Sequence, residues 1–390
     1  MHNQPVLKII LSSIFFLVFV TTLRAQKNID HLLPVRAFCI AAPKPAGVER
    51  FVHFINEELA VNTINTLVLR VDFNYQYKSH PELQDSNALS EQDVKQLLTA
   101  CKKNNIQLIP QVNLLGHQSW AGAVNKLLKV YPELDETPAV QMPLVYGWPN
   151  PDSLYCKSYC PLHPSVHAIV FDIVDEICTV FEANAFHAGM DEVFYLGDYR
   201  CPRCAGKDKA VLFAGEVNTI RNHLAEKKRK LWIWGDRLID GKSTGIGEWE
   251  GSFNNTQSAV RLIAKDVIIC DWHYDKAERT AAYFATNKLA VITAAWRNPL
   301  VAVKQVQDMV EYRRRAKPAV KKLYRGVMQT IWTNADSFMN DYEAVKLAAV
   351  NSDSTQANCF KAMVNEIRAT GERALTKRKV ITIQPSIIAN

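Results

Sequence analysis

Asp191 and Glu192 are adjacent carboxylates, entered through His187-Ala188-Gly189-Met190. Two acids sharing one cavity repel, so burial and mutual charge push their pKa values apart; one stays ionised and the other keeps a proton. Glycoside hydrolysis needs that division: a proton for the leaving oxygen and a negative charge beside an oxocarbenium-like centre. An Asp-Glu dipeptide alone is commonplace. It gains meaning here because it follows the short apolar run 185–188. Other polar and aromatic residues stand in the same relation to other apolar runs: Asp72, Asn113, His117, Trp234, Asp236, Asp271, Trp272, Tyr274, Trp296, Trp332, Asn334 and Asp336. Aromatic faces receive the C–H faces of a sugar ring while carboxylates and amides grip its hydroxyls, so the mixture suits a carbohydrate. Each residue alone has a structural explanation: a tryptophan packs beneath loops, an aspartate caps the next helix and a histidine hydrogen-bonds in the core. Recurrence at equivalent positions, with Trp234, Trp272, Trp296 and Trp332 at four successive strand ends, points to a sugar cage.

The elements that must position these groups alternate regularly. β-rich apolar runs at 36–42, 66–73, 106–113, 185–188, 231–234, 267–271, 290–295 and 326–332 are separated by helical patterns at 47–61, 90–104, 163–184, 211–226, 278–287 and 299–315, with a last helix over 341–372. Ser90, with Asp93 three residues on, is a capping-box variant. The connection 237–265 reads as loop with one short helical stretch near its end. Eight strand-helix units predict a single-domain (β/α)8 TIM barrel rather than a doubly wound sheet, and no Gly-x-Gly-x-x-Gly loop supports a nucleotide fold. Functional groups are then expected at the C-terminal strand ends. The excursion 119–164, rich in Pro, Tyr and Trp, reads as a binding loop.

Lys8, the apolar run 9–20 and Ala25 have the layout of a secretory signal, too short to span a bilayer. The expected organisation is a signal over 1–25, a lead-in over 26–34, the barrel over 35–375 and a tail over 376–390, with export to the periplasm or exterior and no stable membrane span after cleavage. The net charge of +7 is spread along the chain, and the runs Lys227-Lys228-Arg229-Lys230 and Arg313-Arg314-Arg315 fall at helix ends, where cations meet the negative end of the dipole; no nucleic-acid partner is expected. Of nine cysteines, Cys39, Cys101, Cys178, Cys270 and Cys359 lie in apolar patterns and read as small core residues. Cys156, Cys160, Cys201 and Cys204 lie in loop-like stretches and could form two disulfides or a structural zinc site, stapling loops in either case.

The segment His187-Ala188-Gly189-Met190-Asp191-Glu192 resembles the His-x-Gly-x-Asp-Glu signature of the glycoside hydrolase family 20 β-N-acetylhexosaminidases, closest to their hexosaminidase D-like branch. Pro110-Gln111-Val112-Asn113-Leu114-Leu115-Gly116-His117 resembles the family's third-strand segment. The likeness covers roughly residues 35 to 345, without the small α/β domain usual before the barrel. It implies an exo-acting enzyme that removes terminal N-acetylglucosamine or N-acetylgalactosamine with retention, the substrate's own acetamido oxygen attacking the anomeric carbon to give an oxazolinium, an exception to the two-carboxylate scheme. By the same resemblance Glu192 is the general acid and then base, Asp191 orients the acetamido group and balances its charge, Asp72 and His117 form a relay tuning Glu192, and Tyr274 binds the acetamido oxygen. His187, Asn113, Trp234, Asp236, Trp272, Trp296, Trp332 and Asn334 would bind the sugar, and no metal or organic cofactor is required. The arginine that commonly follows the family's first strand has no evident counterpart, Arg36 lying at the wrong end and Arg70 inside the second strand. The rival readings are a non-catalytic glycan-binding barrel and a metal-dependent hydrolase using His117, His187 and Asp191. The chain contains no His-x-His ligand spacing for the latter.

Overall fold

A computed structural model describes residues 29–120, 122–142, 156–349 and 353–382. The expected leader over 1–25 lies outside the described residues, as does the tail beyond 382. Eight parallel strands close into a barrel: β1 Val35–Ala41, β2 Thr66–Arg70, β3 Gln107–Leu114, β4 Ala185–Gly189, β5 Lys230–Trp234, β6 Ile268–Trp272, β7 Ala290–Ala295 and β8 Tyr324–Thr330. Each pairs with its chain neighbours, and β8 returns to β1. The main outer helices are α1 Val48–Phe54, α2 Glu91–Lys103, α3 Val166–Val180, α4 Lys209–Glu226, α5 Thr280–Thr286, α6 Pro299–Arg315, α7 Ala335–Val345 and α8 Gln356–Thr382.

Period-two alternation builds two cores. Along β1, Ala37 and Cys39 face the barrel interior, packing with Val68, Ile109, Trp234 and Met328. Phe38 and Ile40 face the helices, where the Phe38 ring lies 4.9 Å from Phe360 and 5.4 Å from Phe338. Cys39 and Cys270 are the small interior residues that leave room for Trp232, Trp234 and Trp272; Cys101, Cys178 and Cys359 sit in the outer core. The Ser90–Asp93 capping box forms in full, opening α2. The helix expected over 341–372 is instead two, α7 and α8. The hydroxyl of Thr355 accepts the Asn358 N–H at 3.1 Å and starts the second of them afresh.

At the closing seam Gly326 of β8 faces Val35 of β1. Its φ is 153°, and a Cβ there would lie 1.8 Å from the Val35 carbonyl oxygen, so only a residue without a side chain lets first and last strands meet. Gly326→Ala is expected to destabilise the fold by about 3 kcal/mol, read as a lowered midpoint in urea unfolding; an unchanged midpoint would show that the seam has slack.

Candidate active site

Three strand ends carry the site on unusual backbone. Asp72 after β2, Leu115 and His117 after β3, and Met190 and Glu192 after β4 all have positive φ, between 46° and 67°. Such conformations cost a non-glycine residue about 1 kcal/mol or more, so surrounding contacts must impose them. The glycines of the two motifs let β3 and β4 close on each other. A Cβ on Gly189 would lie 2.5 Å from Asn113 Oδ1, and one on Gly116 would lie 2.7 Å from the Asp191 carbonyl oxygen.

That closeness brings His117 to both acids: its Nε2 lies 3.1 Å from Asp191 Oδ2 and 3.2 Å from Glu192 Oε2. Asn125 donates to the His117 carbonyl and Trp120 stacks on the ring at 6.0 Å. Burial pulls His117 toward neutrality, yet the adjacent Cys156 sulfur and Asp191 carboxylate hold its pKa well above the ordinary value. Burial likewise opposes ionisation of Asp191, but the neighbouring His117 outweighs it and the Asp191 pKa is lowered. Asp191 Oδ1 is buried without a hydrogen-bond partner in the described structure.

Asp72 lies beside this group but is held by Asn113, its Oδ1 accepting the Asn113 backbone N–H at 2.8 Å and its Oδ2 the side-chain amide at 3.4 Å. The expected relay is therefore differently wired, because His117 turns its second nitrogen to Cys156 Sγ, 3.2 Å away. Burial raises the Asp72 pKa, against the Asn113 hydrogen bond and the nearby Arg70.

The aromatic residues form a connected wall. Trp272 packs on Tyr274 with centroids 4.8 Å apart, Tyr274 on Trp296 at 5.3 Å, and Trp234 on Trp332 at 6.0 Å. The Trp332 indole N–H donates to the Tyr274 hydroxyl at 3.0 Å. Trp332 is exposed and Trp296 half-buried, while Trp234 and Trp272 are buried. A cavity of about 640 Å³ is lined by His117, Asn113, Asp72, Arg70, Asn334 and Asp336 among others; neither acid and none of the wall aromatics is in its lining.

Three expected sugar ligands have other work. Asp236 is buried under the pair; its Oδ2 accepts the Glu192 backbone N–H at 2.9 Å and Arg237 Nε at 2.7 Å, and its Oδ1 accepts the Trp272 indole N–H at 3.3 Å. Burial pushes its pKa up to about 6 against the Arg237 charge. His187 is fully buried, its Nδ1 taking the Gly189 N–H at 3.0 Å, and burial drives its pKa down to about 3, so it is neutral. Asn334 caps α7 through the Ser337 N–H, at 2.8 Å. Neither two disulfides nor a four-cysteine site is formed by these residues: no S–S bond joins any of the nine cysteines, and Cys156 stands apart on His117.

Sequence reasoning missed Arg70 as a mouth residue. It is the last residue of β2, donates to the Ile331 carbonyl at 2.9 Å, and lays its guanidinium 4.5 Å over the Trp332 ring. It also missed Glu250, whose Oε1 accepts the Tyr274 N–H at 3.1 Å and whose Oε2 lies 2.6 Å from His273 Nδ1. A carboxylate in a loop without pattern carries no signal of that reach.

The model of the Glycosyl hydrolase family 20 catalytic domain matches residues 55–346, most of the chain. This chain belongs to glycosyl hydrolase family 20. Among curated relatives it is similar to a lacto-N-biosidase of Bifidobacterium bifidum, 22% identical over 231 residues; the match takes in 55% of this chain but only 19% of that protein. Among solved structures it superposes on a Flavobacterium johnsoniae chitobiase with a TM-score of 0.59 and 15% identity, covering 90% of this chain and 52% of the other. A Bacteroides fragilis β-N-acetylhexosaminidase gives 0.57 and 16%, covering 90% and 71%. At these identities the likeness is one of fold.

Within this family 20 chain, Asp236 and Arg237 have completely buried side chains. Asp236→Ala is expected to lower unfolding stability by about 3 kcal/mol or more, since it strands the Arg237 charge; a smaller loss in chemical denaturation would mean that solvent relieves it. The His117 pKa is raised on folding, so the stability from its charge is complete below about pH 6.5 and is lost as pH rises through the folded value. The Asp191 pKa is lowered, so its contribution is present above about pH 3.9 and is lost as pH falls through the folded value. The stability advantage of the wild type over His117→Gln is therefore expected to be largest between about pH 4 and 6.5 and to shrink in alkali. A pH-independent difference in urea titrations would remove the charged pair.

Proposed function

We propose that this family 20 barrel is an exo-acting β-N-acetylhexosaminidase that hydrolyses terminal N-acetylglucosamine or N-acetylgalactosamine with retention, using the substrate's acetamido group as nucleophile. The observation that carries the reading is Asp191. One oxygen is tied to His117, which favours the ionised form, and the other is buried with no hydrogen-bond partner among the described residues. A buried acceptor without a donor is costly, and a substrate N–H is the donor that would satisfy it.

In this mechanism the acetamido N–H donates to Asp191 Oδ1 while the acetamido carbonyl oxygen bonds to the anomeric carbon, and the bond to the leaving oxygen breaks. Glu192, held by the Asp236 contact to its backbone, gives that oxygen its proton and then takes one from the water that opens the oxazolinium. Asp191 balances the positive charge developing on the ring, an interaction present in the transition state and weak in the ground state. The Tyr274 hydroxyl, already fixed by Trp332, donates to the acetamido oxygen, and Arg70 grips sugar hydroxyls at the rim. The substrate is a glycan or glycoconjugate with a terminal N-acetylhexosamine. The leader layout supports export, and no described helix is long and apolar enough to cross a membrane.

Release of the chromophore from aryl N-acetyl-β-glucosaminide and N-acetyl-β-galactosaminide tests the reading. Glu192→Gln is expected to lose roughly 100-fold or more in kcat, most on poor leaving groups. Asp191→Asn is expected to lose a similar factor on 2-acetamido substrates alone, and a thiazoline mimic of the oxazolinium is expected to inhibit. An equal loss on sugars lacking the acetamido group would overturn substrate assistance. No cleavage by folded protein that still binds the mimic would favour a glycan-binding role.

A further inference from the structure

Cys160, Cys201 and Cys204 converge in a buried cluster, and Glu136 joins them; one donor atom from each lies within 4.8 Å of every other. Cys160 Sγ is 3.4 Å from Cys204 Sγ and 3.6 Å from Cys201 Sγ. A disulfide would need about 2.05 Å, whereas the edge of a tetrahedron of sulfurs around zinc, with bonds of about 2.3 Å, is roughly 3.75 Å. Cys201-Pro202-Arg203-Cys204 has the short spacing that lets one turn supply two thiolates, and the Cys204 N–H donates to Cys201 Sγ at 3.3 Å, as a turn wrapped round a metal-bound sulfur requires.

Glu136 is the independent observation. It has no exposed surface, yet it is a carboxylate. Its Oε1 accepts the backbone N–H groups of Gly197 and Asp198 at 2.8 and 3.3 Å, while Oε2 is buried with no hydrogen-bond partner in the described structure. A fully buried carboxylate whose second oxygen meets only the weak thiol donors of its neighbours is expensive unless a cation completes it. We propose that Glu136, Cys160, Cys201 and Cys204 form a closed, four-coordinate structural site for a divalent zinc ion. Three sulfurs and one oxygen favour zinc over magnesium or calcium, and a saturated shell leaves no position for substrate. Binding deprotonates whichever thiols are still protonated and releases those protons to solvent, with no change of oxidation state.

Two loops meet in this site. Glu136 and Cys160 belong to the excursion after β3, which also carries Cys156 to His117; Cys201 and Cys204 belong to the loop that follows Glu192. The ion would join the segments that leave the two catalytic strand ends, which cross-links the mouth without touching the reacting atoms.

The test is metal analysis of the full chain purified without added metal or chelator. One zinc per chain is expected, together with nine thiols titratable after denaturation and chelation. Cys201→Ala and Cys204→Ala are expected to lose the zinc and melt earlier, while Cys156→Ala keeps it, which separates this site from the neighbouring His117, Cys156 and Glu192 donors. Should the cysteine variants fold poorly, cobalt exchanged into the wild type reports directly: intense thiolate-to-cobalt charge transfer with tetrahedral d–d bands is expected, and Glu136→Gln is expected to weaken zinc binding at least roughly tenfold. Seven titratable thiols and no zinc would replace the metal with a disulfide and overturn the proposal. Nine thiols with no zinc, even after incubation with the ion, would overturn it as well. None of these readouts depends on glycosidase activity.

Discussion

Two carboxylates on consecutive residues repel, and folding them into one dry cleft makes the repulsion worse because little water remains to screen it. Asp191 and Glu192 share the barrel mouth with positive groups placed close by. His117 sits between their oxygens, and Arg237 lies beneath them through Asp236. His117 reaches them through the close approach of β3 to β4, which depends on Gly116 and Gly189. The charge problem thus sets the backbone problem, and the backbone sets which residues the strand ends can hold.

Below the acids the barrel is tightly filled. Trp234 packs against the neutral ring of His187, and Ala37, Cys39, Ala185 and Ala294 give up volume to three tryptophans. A floor of that kind resists compression and lowers the local dielectric, so electrostatic contacts above it are stronger than they would be in solvent. The rim differs in character. Trp332 and Arg70 are mutually stacked yet open to solvent on one side, which suits a surface that must first meet a hydrated sugar.

The architecture was legible from the alternation of apolar runs because strands buried on both faces leave long unbroken signals, and a capping box such as Ser90–Asp93 is read from two residues alone. The Asp191, Glu192 and His117 cluster was legible because barrel topology sends every strand end to one face. Partner identity was not. Asp236 and Asn334 look like ligands at strand ends, but one balances a buried arginine and the other caps a helix, and only three-dimensional packing distinguishes these uses. Glu136 is invisible in sequence because the excursion has no periodicity to mark a buried face. The break between α7 and α8 carried a weak signal, the polar run from Asn351 to Thr355, with no glycine or proline to announce it.

The left-handed backbone at Asp72, Leu115, His117, Met190 and Glu192 sets how portable this arrangement is. Side chains copied onto another barrel would point elsewhere, because an ordinary strand end delivers the following residue in an extended or right-handed conformation. What would have to be transplanted is the pair of turns and the contacts that force them, so the lineage of such a site is expected to be traceable in its main chain long after its rim residues have been exchanged.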